Sequence, residues 1–142
     1  MVRVELVTDA TPEVYAALER LLPQLNSQLA IPTIERLRAI VADSAVSLLV
    51  ARDDGQIVGT TTVIVYTTPF WIKARLDEVV VDEAARGKGV GEALVKASLD
   101  LARKKGVEVV ELQSGLQREA AQRLYVRMGF KLRETNVYRI VL

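Results

Sequence analysis

The densest chemistry in the sequence lies in six consecutive residues, Arg86-Gly87-Lys88-Gly89-Val90-Gly91. An apolar run ending in Val79-Val80-Val81 precedes them. Apolar residues at Val90, Ala93, Leu94, Ala97, Leu101 and Ala102 follow at the spacing of one helix face. A strand-to-helix junction of this kind presents free backbone N–H groups and the positive end of a helix dipole to an anion. Glycine lets the main chain approach a phosphate without an intervening Cβ, and Arg86 and Lys88 can add charge-assisted contacts. The same glycines also suit a plain turn that needs positive φ, so spacing alone leaves both readings open. A nucleotide P-loop is excluded, because Lys88 is followed by Gly89 and no GxxxxGK spacing exists. A dinucleotide fingerprint requires GxGxxG where this chain has GxGxG, although Glu108 and Glu111 stand where a ribose-binding acid would fall, ~20 residues on.

Two absences restrict what else the chain can do: it has no cysteine and no histidine. Disulfides, thiol nucleophiles, thiolate or imidazole metal sites and every Ser-His-Asp or Cys-His relay are thereby excluded. Acid–base chemistry must use Asp, Glu, Tyr, Lys or an ordered water. Nineteen basic against eighteen acidic residues leave a net charge of +1, with no bias toward nucleic acid or an anionic membrane as partner. A cysteine-free chain fits a reducing cytoplasm, the expected location, and Glu5, Asp9, Glu13 and Glu19 speak against a secretory leader. The longest uncharged run, between Asp54 and Lys73, contains Gln56, five threonines, Gly55, Gly59 and Pro69, and reads as β-structure rather than a membrane span. The 142 residues, half of them hydrophobic, suffice for one domain with its own core.

The remaining pattern supplies the elements that must position the loop. Arg3–Thr8 alternates as a first strand, and Thr11-Pro12-Glu13 opens a helix expected to run to about Leu22, where Pro23 interrupts it. Pro32-Thr33 starts a second helix with Ile34, Leu37, Ile40 and Val41 on one face. Ala45–Ala51 and Ile57–Tyr66 read as adjacent antiparallel strands joined at Asp53-Asp54-Gly55. Arg75–Asp82 is a further strand. Arg103-Lys104-Lys105-Gly106 ends the long helix, and Val107–Leu112 should lie parallel to the strand at 75–82 through a right-handed crossover. A short helix over 118–128, closed by Gly129, leads to an expected final strand or hairpin across 130–142.

Arg86-x-x-Gly89-x-Gly91, set between strand and helix, resembles the pyrophosphate-binding motif of the GNAT superfamily of acetyl-CoA-dependent N-acetyltransferases. Val107–Leu112 resembles that family's next strand. Ala121-x-x-Leu124-Tyr125-x-x-x-Gly129-Phe130 resembles its late helix ending in Gly-Phe. The element order β-α-α-β-β-β-α-β-α-β matches over essentially the whole chain. The resemblance implies an α/β (α+β) single domain over 1–142. Its mixed, mostly antiparallel central sheet would hold one splayed parallel strand pair between flanking helices. It implies acetyl-CoA as co-substrate and no metal. The backbone of Val79, Val80 and Val81 would pair with the pantetheine arm, and the N–H groups of Arg86, Gly87, Lys88, Gly89, Val90 and Gly91 would hold the pyrophosphate. Many members carry Asn seven residues before the tyrosine; Arg118 stands there, and a contact to a CoA phosphate is its alternative role.

Direct acyl transfer to an amine needs a proton acceptor, donors for the oxyanion and a proton for the departing thiolate. An alkyl ammonium, with a pKa of about 10.4, must lose a proton before attack. Asp77 and Glu78 are the candidate acceptors; the resemblance favours Asp77, and alternation along a strand turns only one of them to the cleft unless a bulge intervenes. Either carboxylate is equally readable as a solvated surface charge. Tyr125, a phenol with a pKa of about 10, can protonate a thiolate whose thiol has a pKa of about 8.5, and it also falls on the apolar stripe Ala121, Leu124, Tyr125, Met128, the place of a core tyrosine. The implied acceptor is a small-molecule primary amine, polyamine-like or an amino sugar, with Phe70 and Trp71 as acceptor wall, dimer contact or core. Dimers are common among similar proteins, so a homodimer is open. A non-catalytic acyl-CoA-binding regulatory module is the alternative function.

Overall fold

Local signals set most element boundaries. In the computed structural model, which describes residues 1–142, Thr11 and Thr33 cap the first two helices, their hydroxyls accepting from the N–H of Val14 and Arg36. The elements are β1 (Val2–Leu6), α1 (Pro12–Leu25), α2 (Ile34–Ala42), β2 (Val46–Asp53), β3 (Gln56–Thr67), β4 (Ile72–Val81), a short 3-10 turn (Glu83–Ala85), α3 (Val90–Lys104), β5 (Val109–Leu112) and α4 (Glu119–Arg127). The β2–β3 hairpin turns on Asp54 (φ 49°) and Gly55 (φ 79°), paired positive-φ residues whose twist matches the flanking strands.

The strands form one sheet in the order β1-β2-β3-β4-β5. The first four are antiparallel neighbours, and β4 and β5 are parallel. This is the mixed, mostly antiparallel architecture that the sequence implies. Period-two alternation on β2 splits the core between the two faces. Leu48 and Val50 join Val14, Ala17, Leu18, Leu21 and Leu37 of α1 and α2, while Leu49 and Ala51 join Val90, Leu94 and Ala102 of α3. Arg52 ties β2 to β1 and to the start of α1, donating through Nε to Glu5 at 2.6 Å and through both terminal nitrogens to Glu13 at 2.7 and 2.8 Å. The guanidinium bonded to Glu13 holds that carboxyl below its ordinary value.

Two expectations fail. Helix α1 does not stop before Pro23 but continues to Leu25. A proline this close to the helix end forfeits one main-chain bond without breaking the turn, and Asn26 N–H still closes on the Leu22 carbonyl at 3.1 Å. The final strand or hairpin across 130–142 is absent: the segment holds no regular structure, and no backbone group of 131–142 hydrogen-bonds to the rest of the chain. Strand propensity supplies only half of a ladder, and no sheet edge meets this segment.

Gly59 on β3 fixes how closely α3 sits on the sheet. A Cβ there would stand 2.9 Å from Val90 Cγ1, 3.0 Å from Leu94 Cδ1 and 3.0 Å from the Val80 carbonyl oxygen. Gly59→Ala should therefore destabilise the fold by about 1–3 kcal/mol through overpacking. The check is a lower urea midpoint with an unchanged m-value.

Candidate active site

The site begins where a ladder ends. β4 pairs with β5 from Lys73 opposite Val109 to Leu76 opposite Leu112, and β5 stops there while β4 continues to Val81. Residues 77–81 therefore keep β3 on one side and present an open edge on the other. Asp82 N–H donates to the Val58 carbonyl on β3 at 2.8 Å, so by strand alternation the Val81 amide points to the open edge.

A bulge reshapes β4 at this place. Thr60 opposes Val80 and Thr62 opposes Asp77, so Thr61 alone faces Glu78 and Val79. Glu78 takes φ +55°, which costs a side-chain-bearing residue about 1–2 kcal/mol. The Thr61 hydroxyl donates to the Asp77 carbonyl at 3.2 Å and satisfies an acceptor where the ladder is disrupted. The extra residue also reverses the alternation: Ala74 packs with the α3 core, yet Val80, an even number of residues on, packs with the α1/α2 core. Asp77 is half-buried and ion-paired with Arg75, Nε to Oδ1 3.1 Å. Glu78 is exposed and enters no ion pair.

The glycine loop follows the 3-10 turn. Gly87 and Gly89 have φ of 81° and 78°, and a Cβ at either would meet nothing within 4 Å, so the space where a side chain would stand is open. Gly89 is the N-cap of α3 and offers no side-chain cap, which leaves N–H groups of the first turn for another acceptor. Arg86 is exposed and free of ion pairs, whereas Lys88 Nζ lies 3.6 Å from Asp53 Oδ2. The side chains of Val80 and Val90 are buried in the core and leave only backbone groups for any contact outside it. Gly91 acts through packing instead, since a Cβ there would stand 3.1 Å from Leu124 Cδ2 and 3.7 Å from Val81 Cγ2. That gap lets α4 dock on the first turn of α3.

Tyr125 follows the Leu124 that packs against Gly91. Its ring is buried at 6% exposure and meets Phe130 edge-on at 6.0 Å, and Phe130 N–H donates to the Tyr125 carbonyl at 2.9 Å. Burial pushes the phenol up from its ordinary value, and the charge of Arg118, at the N-cap of α4 seven residues earlier, acts the other way. The Tyr125 hydroxyl is not among the sealed, unpartnered oxygens of the chain; Ser114 Oγ, two residues past the end of β5, is. Phe70 and Trp71 lie exposed in the β3–β4 turn, outside the core. The structure thus sets Asp77, Glu78 and Val79–Val81 on the part of β4 that runs beyond the end of β5, with the Arg86–Gly91 loop following after the 3-10 turn and α4, which carries Tyr125, packed on the first turn of α3. Sequence reasoning does not find Arg75, Thr61 or Ser114. Arg75 and Asp77 share one strand face at i, i+2, a signal present in the sequence, but nothing local marks Thr61 or Ser114. No helix is long and apolar enough to cross a membrane.

Residues 11–130 match the profile of the Acetyltransferase (GNAT) family. Over 61 residues the chain is 38% identical to an uncharacterised N-acetyltransferase of Methanocaldococcus jannaschii, a stretch that covers 43% of this chain and 27% of that protein. Over 96 residues it is 33% identical to N-acetyltransferase 8 of Rattus norvegicus, covering 66% of this chain and 43% of that protein. The matched stretches thus span less than half the length of these relatives. An aminoglycoside acetyltransferase from an uncultured soil metagenomic sample superposes with a TM-score of 0.86 at 21% identity, over 99% of this chain and 95% of the other, a likeness of fold. With a profile match over most of its length and the sheet just described, the chain belongs to the acetyltransferase (GNAT) family.

Proposed function

We propose that the chain transfers an acetyl group from acetyl-CoA directly to the primary amine of a small molecule in a ternary complex. The observation that carries this reading is the unpaired edge of residues 77–81 followed, after a 3-10 turn and the glycine loop, by an uncapped helix N-terminus. One extended, hydrogen-bonding arm with a diphosphate at its end matches that surface. The residues fit such a group: the loop is open where Gly87 and Gly89 lack side chains, and the first-turn N–H groups of α3 are unspent donors. Bound acetyl-CoA would supply the activated acyl group. The backbone of Val79, Val80 and Val81 would align its arm, the N–H groups of Gly87 to Gly91 would hold the diphosphate, the Arg86 N–H being already given to the Glu83 carbonyl at 3.4 Å, and the Arg86 side chain is the cation free to add charge. Lys88 would join only by leaving Asp53, and Gly91 contributes chiefly by admitting α4.

For proton transfer we assign Tyr125 as donor and Glu78 as acceptor, directly or through water. Glu78 is preferred because it is unpaired and exposed at the bulge, whereas the Asp77 carboxylate is engaged by Arg75. Asp77 then helps draw a cationic amine to the site. The acetyltransferase of like fold acts on aminoglycosides by its name, and acidic residues at the acceptor end agree with an amine-bearing substrate, so an amino-sugar or polyamine-like acceptor is our reading here. We further place the protein in the cytoplasm and its folding unit at residues 1–142.

Tyr125→Phe should lower kcat by about 10²–10⁴-fold, the range of general acid catalysis, with little change in CoA affinity. Free CoA release across an amine panel measures the first and calorimetry the second. CoA binding with no turnover on any amine would instead mark an acyl-CoA-binding module. Because burial keeps the Tyr125 proton in place, the alkaline limb of kcat should lie above that of an ordinary phenol, and Arg118→Ala, which removes the opposing charge, should move it higher still. Glu78→Gln should abolish the acidic limb of kcat/KM, while Asp77→Asn should keep that limb and raise KM for a cationic amine.

A further inference from the structure

Beside the acyl-transfer site, one cation is only partly engaged. Ala74 packs with the α3 core, so by strand alternation Arg75 and Asp77 lie on the opposite face of β4. Their cross-strand partners share that face: Ile64 and Glu111 flank Arg75, and Thr62 flanks Asp77. Helices α1 and α2 pack on Leu48, Val50, Ile57 and Val80 but do not seal this corner, where the Arg75 and Asp77 side chains are each 39% exposed. The charges there are used unequally. Lys73 Nζ meets Glu111 Oε1 at 2.6 Å. Arg75 gives only Nε, to Asp77 Oδ1 at 3.1 Å, and its two terminal nitrogens make no hydrogen bond. That one bond reaches along β4 from residue 75 to 77, past Leu76, where pairing with β5 ends. It therefore sets the guanidinium toward the open stretch and fixes the side chain before any ligand arrives.

Resting on the acyl-transfer reading above, we propose that Arg75 is a specificity residue that binds an acidic group on the acceptor, so that the substrate is an amine also carrying a carboxylate, phosphonate or phosphate. The terminal N–H groups of a guanidinium form a planar fork that matches two oxygens of such a group, a match that an ammonium cannot make. Charge balance favours both groups on one molecule. Lys73 and Arg75 offset Asp77 and Glu111, and Glu78 adds one negative charge at the bulge. A bare anion gains little from that field, whereas a zwitterion places its acid on Arg75 and its ammonium toward Glu78. From Arg75 to Glu78 the strand spans three residues at roughly 3.3 Å each, and the arginine side chain bridges part of that distance, so the spacer between amine and acid is short. A polyamine offers nothing to the fork, which favours an amino sugar bearing an acid over the polyamine-like alternative.

Release of free CoA with matched acceptor pairs tests this on the full chain: β-alanine against β-alaninamide, and glucosamine 6-phosphate against glucosamine, with spermidine as the acid-free polycation. In at least one pair the acid-bearing member should have a kcat/KM about 10–100-fold higher, carried mostly by KM. Arg75→Gln should bring that ratio close to one, and Arg75→Lys, which keeps the charge without the fork, should retain part of it. The double variant Arg75→Gln with Asp77→Asn leaves no carboxylate of the pair uncompensated and should show the same loss. Each ratio compares two acceptors on one protein, so a loss of stability cancels from it. Turnover with equal kcat/KM within every pair, or fastest on spermidine, overturns the proposal and leaves acyl transfer standing. A preference that survives Arg75→Gln overturns it as well, since another group then holds the acid. No turnover on any of these amines, with acetyl-CoA bound, removes the acyl-transfer reading and this inference with it.

Discussion

The end of the β4–β5 ladder at Leu76 and Leu112 is the constraint on which the rest of the site depends. Parallel strands joined through a helix need not stay paired along their length, and here the shorter one stops after four residues. What remains of β4 is a strand edge with hydrogen-bonding groups and no protein partner. Such an edge is ordinarily a hazard, because it invites pairing with another chain. In this molecule a 3-10 turn, whose own N–H groups are spent, separates that edge from the loop before α3, so the chain offers two unpaired stretches of backbone, one on the strand and one at the helix N-terminus.

Around that edge, the structure gives up local stability to hold geometry. Glu78 adopts a left-handed conformation, and beside it the Asp77 carbonyl accepts from the Thr61 hydroxyl. The surrounding packing over-determines the arrangement. Val80 is locked into the α1/α2 core, Ala74 into the α3 core, and the strand between them has one residue too many for regular pairing. Strain of this kind persists only when both ends are held. Two glycines keep the neighbouring layers close: Gly59 lets α3 sit on β3, and Gly91 lets α4 sit on α3. The second contact seats the helix that carries Tyr125.

Much of this is legible in the residues alone. The capping threonines, the Asp54-Gly55 turn, the helix stripe from Val90 and the glycine loop are all local signals, and local sterics decide them. The residues around the glycine loop and the late helix are equally visible, because a helix N-terminus and a Gly-Phe end are set within a few residues. Pro23 weighs less than its type suggests, since the cost of a proline depends on how many bonds remain to be broken beyond it. The segment 130–142 departs from its expected strand for a different reason: β-propensity states what a segment will accept, and an available edge decides whether it pairs.

The sequence by itself determined the kinds of chemistry open to the chain. Without cysteine or histidine only carboxylates, a phenol, lysine or water can move protons, and one glycine-rich junction can hold an anion. It also determined the order of the elements, because hydrophobic period and turn chemistry act over a few residues. The tertiary structure alone decided where the β4–β5 ladder stops, which leaves residues 77–81 open, and how closely α4 docks on α3 at Gly91. Those outcomes depend on register and on contacts between residues far apart in the chain. A bulge of one residue, invisible to period counting, turns the faces of everything after it.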